Sequence, residues 1–281
     1  MGTTAIYYAP TNRRSRLISE VMAQSAGRMG VKADVIPSIR YSGKITHDNA
    51  IFYGLSEGLR RVFDDYRKEA RAVYVDLGYW GRRKMSRYDG YHKLAVNSRH
   101  ATAYFQNKRH DEHRFKRFGI GVLPWRKGGR HILVAGMSAK AAYAEGLKPE
   151  QWERDTIFRL RKLTDRPIIY RPKPNWMAAS LIAGSAMQRD VPLPVALKNC
   201  HAVVTHHSNV AIDAILAGVP AISEGGLASI MGSTSIEEIE NPLMPNGRAQ
   251  WAADIAWTQW SVEEMRAGRA WRYLLEEGLI V

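Results

Sequence analysis

The sequence predicts an α/β protein made of two doubly wound domains, residues 1–125 and 126–281. Short apolar stretches of strand character alternate with stretches in which apolar residues recur at helical spacing. Turn-forming residues concentrate at positions 123–130, where we expect an interdomain connection. Because parallel strands need helical crossovers, this alternation predicts two sheets of parallel strands with helices on their faces.

The first half begins with a predicted βαβ unit. Residues 5–10 predict a buried strand, residues 14–29 an amphipathic helix and residues 31–36 a second strand. A single helix is predicted over residues 49–68, because its apolar residues fall on one helical face. A further strand is predicted over residues 72–76.

The second half repeats the rhythm. Strands are predicted over residues 131–136, 167–170 and 202–206, and helices over residues 149–163 and 209–216. A glycine and a proline just beyond residue 216 are typical of a helix end.

The residues of the C-terminal region are expected to have structural rather than catalytic or binding roles. Ser261 and Glu264 match a capping box, which predicts that a helix begins there. We expect the tryptophans of this region to be packing residues: Trp251, Trp257, Trp260 and Trp271.

Composition excludes several classes of protein. Hydrophobic residues make up 45% of the chain and no apolar run approaches the roughly 18 residues of a membrane span, so we expect a folded protein without integral membrane association. Residues 1–10 lack the features of a signal peptide, which favours the cytoplasm, or the host cytoplasm for a phage protein. The single cysteine, Cys200, excludes an intramolecular disulfide and sites that need several cysteines.

Charge is distributed unevenly along the chain. The net charge is +14, and residues 1–125 hold 23 Lys and Arg against 11 Asp and Glu, whereas residues 126–281 hold 18 against 16. An excess confined to one half indicates a polyanionic partner such as nucleic acid, and the alternative is a solvated basic face.

Residues 203–220 form the most informative segment, a strand, a polar turn and a helix. Ser208 is predicted to cap the helix, whose first amides could receive a phosphate, and Asp213 is placed where it could bind ribose hydroxyls. The alternative is a capped structural helix with an exposed aspartate.

The pattern HSNVAIDAILAGVP at residues 207–220 resembles the donor-binding segment of GT-B glycosyltransferases. The resemblance implies two Rossmann-like domains facing a cleft, with a nucleoside-diphosphate sugar bound by the second. It assigns diphosphate contacts to Ser208 and Asn209 and a ribose contact to Asp213, where the family usually has Glu. The expected donor is UDP-glucose, with no tightly bound metal.

Other residues are assigned to the same donor site. Gly136, Ser138 and Lys140 follow the first strand of the second half, where a glycine turn could approach a diphosphate. Arg171 and Lys173 end the next strand in a proline-stiffened turn, with a solvated strand end as the alternative. The adjacent His206 and His207 are expected to diverge and to serve as donor-pocket or core residues.

Two aspartates are candidate general bases. Asp76 ends a predicted strand before a glycine-flanked loop, where a carboxylate could take the proton of an acceptor hydroxyl. Asp48 is the second candidate. The alternative for Asp76 is a strand-terminating residue bonded to its own turn.

Residues 79–117 interleave 11 Lys and Arg with 7 aromatic residues, a composition that suits nucleic acid. The residues expected to contact it are Tyr79, Trp80, Arg82, Arg83, Lys84 and Arg87. The alternative places the rings in the core and the cations on a solvated surface. The histidines of this segment, His92, His100, His110 and His113, show no metal-ligand spacing.

Together these features favour a glycosyltransferase that acts on DNA. The chain resembles the compact phage enzymes that glucosylate hydroxymethylated pyrimidines, which implies base flipping into the cleft. Three alternatives remain: a GT-B enzyme acting on a cell-surface glycan or lipid-linked acceptor, a non-catalytic nucleic-acid-binding protein, and a sugar-nucleotide epimerase.

Overall fold

The structure is a computed structural model that describes residues 2–82, 89–102, 109–174 and 176–281. Contacts divide the chain into two compact units. The first comprises Met1–Phe118 and Ala253–Val281, and the second comprises Gly119–Ala252. The C-terminal segment therefore packs with the first unit, whereas the sequence analysis assigned it to the second.

Regular elements follow one another along the whole described chain. Up to residue 118 they are β1 (Thr3–Tyr8), α1 (Arg13–Ala26), β2 (Lys32–Pro37), β3 (Asn49–Tyr53), α2 (Leu59–Glu69), β4 (Arg71–Leu77), β5 (Tyr91–Val96) and α3 (His113–Lys116). Next come β6 (His131–Ala135), α4 (Ala139–Ala144), α5 (Gln151–Leu163), β7 (Ile168–Arg171), β8 (Ala186–Met187), α6 (Leu193–Ala196), β9 (Cys200–Thr205), α7 (Val210–Leu216) and β10 (Ala221–Ser223). The last are α8 (Arg248–Trp257), β11 (Gln259–Ser261), α9 (Val262–Arg266) and α10 (Arg269–Glu276).

The first sheet has the order β11-β5-β4-β3-β1-β2. Strands β2, β1, β3 and β4 are parallel, while β5 runs antiparallel to both β4 and β11. The parallel strands therefore end at one edge, which we call the carboxyl edge of this sheet. Ligands of doubly wound proteins bind outside such edges.

Residues 49–53 correct a sequence prediction. The helix predicted over 49–68 is wrong in its first part, because Asn49–Tyr53 is the strand β3 and the helix α2 begins only at Leu59. All five residues of β3 are buried between β1 and β4. A strand buried on both faces has no polar alternation, so its apolar residues can be mistaken for a helical face.

The second sheet has the order β10-β9-β6-β7-β8 and is parallel throughout. Its core includes Ile132, Val134, Ile157 and Val204, all almost completely buried. The predicted strands and helices of this half are confirmed. The bounds of β6, α5, β7, β9 and α7 agree with the predicted bounds to within two residues.

Gly218 ends α7 as the sequence predicted. Its φ is +79°, and a Cβ built there would lie 2.0 Å from the carbonyl oxygen of Pro124. Leu123 and Arg126 donate backbone hydrogen bonds to Leu216 and Gly218, so the predicted connection is part of the second unit. Glycine is required here by both backbone conformation and space.

The C-terminal elements complete the first unit. The capping box is confirmed, since the Ser261 hydroxyl accepts from the Glu264 amide and the Glu264 carboxylate accepts from the Ser261 amide. Trp271 is fully buried and its Nε1 donates to the carbonyl of Met22 at 2.9 Å. Trp260 of the first unit and Trp251 of the second are also buried, which confirms their packing role.

Candidate functional site

The donor residues predicted in the second unit lie at the carboxyl edge of its sheet. Ala135, the last residue of β6, pairs with Arg171 on one side and with Thr205 on the other, so the three strands end level. The turns and helices that follow hold the predicted residues: Gly136, Ser138 and Lys140 after β6, Lys173 after β7, and His207, Ser208, Asn209 and Asp213 after β9. The fold therefore brings these separate segments to one edge.

A direct contact joins two of the segments. Lys173 Nζ donates to Ser208 Oγ at 3.1 Å. The Ser208 amide donates to Thr205 Oγ1 at 3.2 Å, and Thr205 Oγ1 donates to the carbonyl of Ala135 at 3.0 Å. This chain of bonds fixes a half-buried ammonium group and a hydroxyl side by side at the end of β6. Both groups can bind phosphate oxygens.

The helix after this turn differs from the prediction. The cap residue is Asn209, its side chain makes no capping bond, and α7 is only seven residues long. Ser208 Oγ accepts from the Val210 amide at 3.4 Å in addition to its bond with Lys173. The helix begins one residue later than predicted, so Ser208 precedes the cap residue, and its hydroxyl contacts Lys173, a partner that the sequence does not reveal. Asp213 lies half-buried within α7.

The turn after β6 is tightly packed. A Cβ at Gly136 would lie 2.9 Å from the Tyr170 ring and 3.0 Å from Glu153 Oε1. Ser138 caps α4 by accepting from the Ala141 amide at 3.2 Å. The packing of Tyr170 and Glu153 against the turn therefore leaves no space for a side chain at position 136.

The cationic residues of this edge differ in environment. Lys140 is exposed, whereas Arg171 is half-buried and donates to the carbonyl of Val191 at 2.6 Å. Burial lowers the pKa of Arg171 from its ordinary value. Arg171 therefore also fastens the chain that follows β8.

The two adjacent histidines do not diverge as expected. His206 Nδ1 and His207 Nδ1 lie 2.6 Å apart, with the rings nearly perpendicular at 87°. Gly225 and Gly226 pack against the turn, where the Gly225 amide donates to the carbonyl of His206 at 2.8 Å. The expectation failed because this long-range packing bends the backbone and turns both rings to the same side.

In the first unit, Asp76 lies half-buried at the carboxyl edge. Its Oδ2 accepts from the Tyr74 hydroxyl at 2.9 Å and its Oδ1 from the Leu77 amide at 2.8 Å. These bonds hold the carboxylate in one orientation, at a place where a ligand hydroxyl could reach it.

Lys93 pairs with Asp76 across β4 and β5. Its side chain is buried, and Nζ donates to the carbonyl of Arg99 at 2.9 Å. Burial lowers the pKa of Lys93 to about 8, and the nearby Asp76 carboxylate opposes that shift. The sequence did not identify Lys93, because it does not reveal which residue of a neighbouring strand lies opposite a lysine.

Asp48 lies at the opposite edge of the same sheet. It precedes β3, and its Oδ2 accepts from the Thr3 amide at 2.7 Å and from the Thr3 hydroxyl at 3.1 Å. These hydrogen bonds lower the pKa of Asp48. Since Asp76 ends a strand parallel to β3, the two carboxylates cannot act on the same hydroxyl.

A further group at the carboxyl edge escaped sequence reasoning. Arg14 Nη1 donates to the Tyr53 hydroxyl at 3.1 Å, and the Tyr53 ring packs edge-on against His92 at 5.7 Å. His92 is buried and donates through Nδ1 to the carbonyl of Gly90 at 2.9 Å. Its Nε2 has no hydrogen-bond partner among the described residues. Burial, aided by the Arg14 charge, lowers the pKa of His92 to about 4.

Because His92 is neutral in the folded protein, we expect the free energy of unfolding to decrease in acid. Its folded pKa is below the unfolded value near 6.5, so the unfolded state binds the proton first as the pH falls. We expect about 3 kcal/mol of stability to be lost between about pH 6.5 and pH 4 through this group. Urea unfolding across this range should show a shallower loss in His92→Asn than in the wild type. His113→Asn, at an exposed histidine, should retain the wild-type slope; equal slopes in all three proteins would refute the assignment.

The residues predicted to contact nucleic acid differ in their exposure. Tyr79 and Trp80 are 5% and 6% exposed, and Trp80 packs against Phe115 and Phe118 with ring centroids 5.3 and 5.6 Å away. These two rings belong to the core, so they offer no exposed face to a base. Arg82 is exposed and its Nε donates to the carbonyl of Gly78. The remaining three, Arg83, Lys84 and Arg87, lie outside the described residues.

Two solved structures share this architecture. KpsC from Thermosulfurimonas dismutans, described as a beta Kdo 2,4 transferase, aligns with a TM-score of 0.59 over 92% of this chain and 92% of that chain, at 9% identity. The beta Kdo 2,7 transferase of KpsC from the same organism aligns with a TM-score of 0.57 over 94% and 97%, at 13% identity. No family model and no curated protein matches the sequence.

These likenesses concern the fold. They confirm the α/β class and its two Rossmann-like units of the GT-B type. Among the described residues, no helix combines the length and apolar character needed to cross a membrane.

Proposed function

We propose that this protein is a glycosyltransferase that uses a nucleoside-diphosphate sugar as its donor. The observation that supports it best is the 3.1 Å contact between Lys173 and Ser208. It joins the two segments that the sequence assigned to the donor, at the sheet edge where doubly wound domains bind their ligands. The GT-B fold is consistent with this activity.

Each residue of this edge has a proposed role. Lys173 and Ser208 bind the diphosphate, and the positive charge of Lys173 stabilises the leaving nucleoside diphosphate. Asn209 also contacts the diphosphate, His207 borders the donor beside it, and Asp213 accepts hydrogen bonds from the ribose. Gly136 lets the backbone approach the donor, while Ser138, Lys140 and Arg171 border the same edge. UDP-glucose is the donor to test first.

The donor assignment is tested by a matched pair of lysine variants. Lys173→Met should weaken the binding of UDP or of the true nucleotide about 10- to 100-fold, the worth of a charge-assisted hydrogen bond. Lys162→Met is the control, since Lys162 is exposed in the last turn of α5, at the opposite edge of the sheet. Calorimetric titration measures both; equal affinities in the two variants would contradict the assignment.

We infer that the first unit supplies the acceptor site and the general base. Asp76 takes the proton of the acceptor hydroxyl as its oxygen attacks the anomeric carbon and the nucleoside diphosphate leaves. Asp48 does not enter this proposal, because its carboxylate lies at the other edge and is bonded to Thr3.

The proposed acceptor is DNA that contains a hydroxymethylpyrimidine. The charge excess of residues 1–125 supports a polyanionic acceptor. At the carboxyl edge, the first turn of α1 contains Arg13, Arg14 and Arg16 and no acidic residue. The positive end of the helix dipole and these arginines attract anions, and the Glu57 carboxylate, which accepts from the Thr11 amide just before α1, offsets part of this charge.

A salt titration tests the contribution of this helix start. Replacing Arg13 and Arg16 together by Ala should reduce the slope of log affinity against log salt by about 2, if each arginine neutralises one phosphate. The charge-matched control replaces Lys32 and Arg71, two exposed residues that begin β2 and β4 at the opposite edge. An equal change in both double variants would count against a DNA surface at this edge.

A glycan acceptor is the second candidate. It is favoured by the burial of Tyr79 and Trp80, which removes two rings assigned to base stacking. The two structures that share the fold are described as Kdo transferases, which is consistent with a sugar acceptor. Absence of salt-dependent binding to DNA, together with label transfer to an anionic glycan, would favour this candidate.

A further inference from the structure

The turn that follows β9 holds two histidines whose arrangement the proposed donor site does not explain. One potential ligand atom from each of Glu145, His206 and His207 lies within 4.8 Å of those of the other two. Glu145 follows α4, whereas the histidines follow β9, so residues about sixty positions apart in sequence converge within the second unit. We propose that these three side chains form a binding site for one divalent transition-metal ion of the Zn²⁺ class.

The first argument is the orientation of His206. Its Nε2 faces Glu224 Oε2 at 3.7 Å, and Trp152 Nε1 donates to the other Glu224 oxygen at 2.7 Å. The Trp152 ring packs edge-on against the His206 ring at 6.0 Å. A carboxylate at Nε2 favours the tautomer with its proton there, which leaves the Nδ1 lone pair for a metal. Histidine ligands are commonly oriented by a carboxylate in this way.

The second argument is the approach of the two histidines. Their Nδ1 atoms are 2.6 Å apart, and His207 Nδ1 is 4.0 Å from Glu145 Oε1. Two lone pairs at that distance repel unless a proton or a cation lies between them. A tetrahedral ion with Zn–N bonds of about 2.0–2.1 Å separates its nitrogens by roughly 3.3 Å, which small ring rotations would supply.

The third argument is the environment and the donor set. The side chains of His206 and His207 are each 20% exposed and that of Glu145 is 21% exposed, so the groups are shielded while an ion can still enter. Two imidazoles and one carboxylate suit Zn²⁺ and its neighbours rather than Mg²⁺ or Ca²⁺. Three protein ligands leave a coordination position for water or for an oxygen of a bound molecule.

This proposal revises the expectation of no tightly bound metal, which rested on resemblance. It does not rest on the proposed function, because metal binding is measured without nucleotide or acceptor. Failure of one proposal would leave the other unaffected.

The test uses the untagged full chain, stripped of metal with a chelator and titrated with Co²⁺ as a spectroscopic probe. We expect visible absorption bands that saturate at one Co²⁺ per chain and that Zn²⁺ abolishes by displacement. Glu145→Gln and His207→Ala should each weaken Co²⁺ binding by about 100-fold or more, beyond the 10- to 100-fold loss typical of outer-shell changes. His113→Ala, which removes an exposed histidine of the first unit, should bind like the wild type.

Thermal unfolding provides a second readout that separates ligand loss from misfolding. Zn²⁺ should raise the Tm of the wild type and of His113→Ala, but not that of the two ligand variants, because only the folded site binds the ion. If His207→Ala fails to fold, the milder Glu145→Gln decides alone. Absence of Co²⁺ binding in the wild type, wild-type affinity in Glu145→Gln, or an equal loss in His113→Ala would overturn the proposal and leave the histidines sharing a proton.

Discussion

Replacing Asp76 by Asn is expected to lower kcat for sugar transfer by about 10²- to 10⁴-fold, the contribution usual for a positioned general base. Asn keeps the size of the side chain and its Oδ1 can still accept from the Leu77 amide. It cannot take a proton from an acceptor hydroxyl. The fold and the affinity for nucleotide should therefore be unchanged while the chemical step is lost.

Asp48→Asn is the matched control for this experiment. Asp48 is an aspartate of the same sheet, but it lies at the opposite edge and is bonded to Thr3. Single-turnover rates should be normal in Asp48→Asn and strongly reduced in Asp76→Asn. A wild-type rate in Asp76→Asn would remove this residue from the mechanism, and an equal loss in both variants would indicate a structural effect on the sheet.

Replacing Glu264 by Ala is expected to destabilise the protein by about 3–5 kcal/mol, because it leaves a buried arginine without its carboxylate partner. Arg114 is 4% exposed and donates to both oxygens of Glu264, at 2.8 and 3.1 Å. The guanidinium also donates to the carbonyl of Gln259 at 2.8 Å and lies 3.9 Å from the centroid of the Trp260 ring. This pair ties α3 to the C-terminal elements of the first unit.

Two further variants separate the ion pair from other effects. Glu263→Ala changes the exposed neighbour in the same helix turn and should alter stability by no more than about 1 kcal/mol. Replacing Arg114 by Met together with Glu264 by Leu should recover much of the loss, since removing both charges avoids an unpaired one. The remaining loss is the capping bond from the Ser261 amide to Glu264, which this variant also lacks. Urea unfolding measures all four proteins; a loss below about 1 kcal/mol in Glu264→Ala would contradict the account.

The fold class was predictable because it depends on local signals that repeat. The alternation of strand and helix patterns identifies two α/β units with parallel strands without any knowledge of their packing, although it does not reveal the antiparallel β5 and β11 of the first sheet. The exception, residues 49–53, shows the limit of this reasoning. A strand buried on both faces shows apolar residues without alternation, and only its pairing with β1 and β4 distinguishes it from a helix.

The candidate site residues were predictable only where a place near the end of a strand puts a residue at the carboxyl edge of the sheet. Asp76 lies near the end of β4 and Lys173 follows β7, so both lie at carboxyl edges. Tyr74, which orients Asp76, lies two positions away on the same face of β4, whereas Ser208, the partner of Lys173, comes from a distant segment that no spacing rule reveals. The interleaved rings of residues 79–117 also could not be assigned to core or surface, since the pattern fits both.

The convergence of His206 and His207 was hidden for a related reason. Adjacent side chains diverge in an extended chain, but here the turn is bent against Gly225 and Gly226. The third group, Glu145, comes from another helix end. Sequence spacing could suggest neither the bend nor the partner.

The central claim is that this chain transfers a sugar from a nucleotide, and the most direct test is transfer from a panel of radiolabelled nucleotide sugars. Each donor would be offered with hydroxymethylpyrimidine DNA, with unmodified DNA and with an anionic glycan. The account predicts that one donor labels the hydroxymethylated DNA and leaves unmodified DNA unlabelled, and that Asp76→Asn and Lys173→Met both reduce the label. If no donor were consumed with any acceptor, by a protein shown to be folded, the claim of sugar transfer would be contradicted.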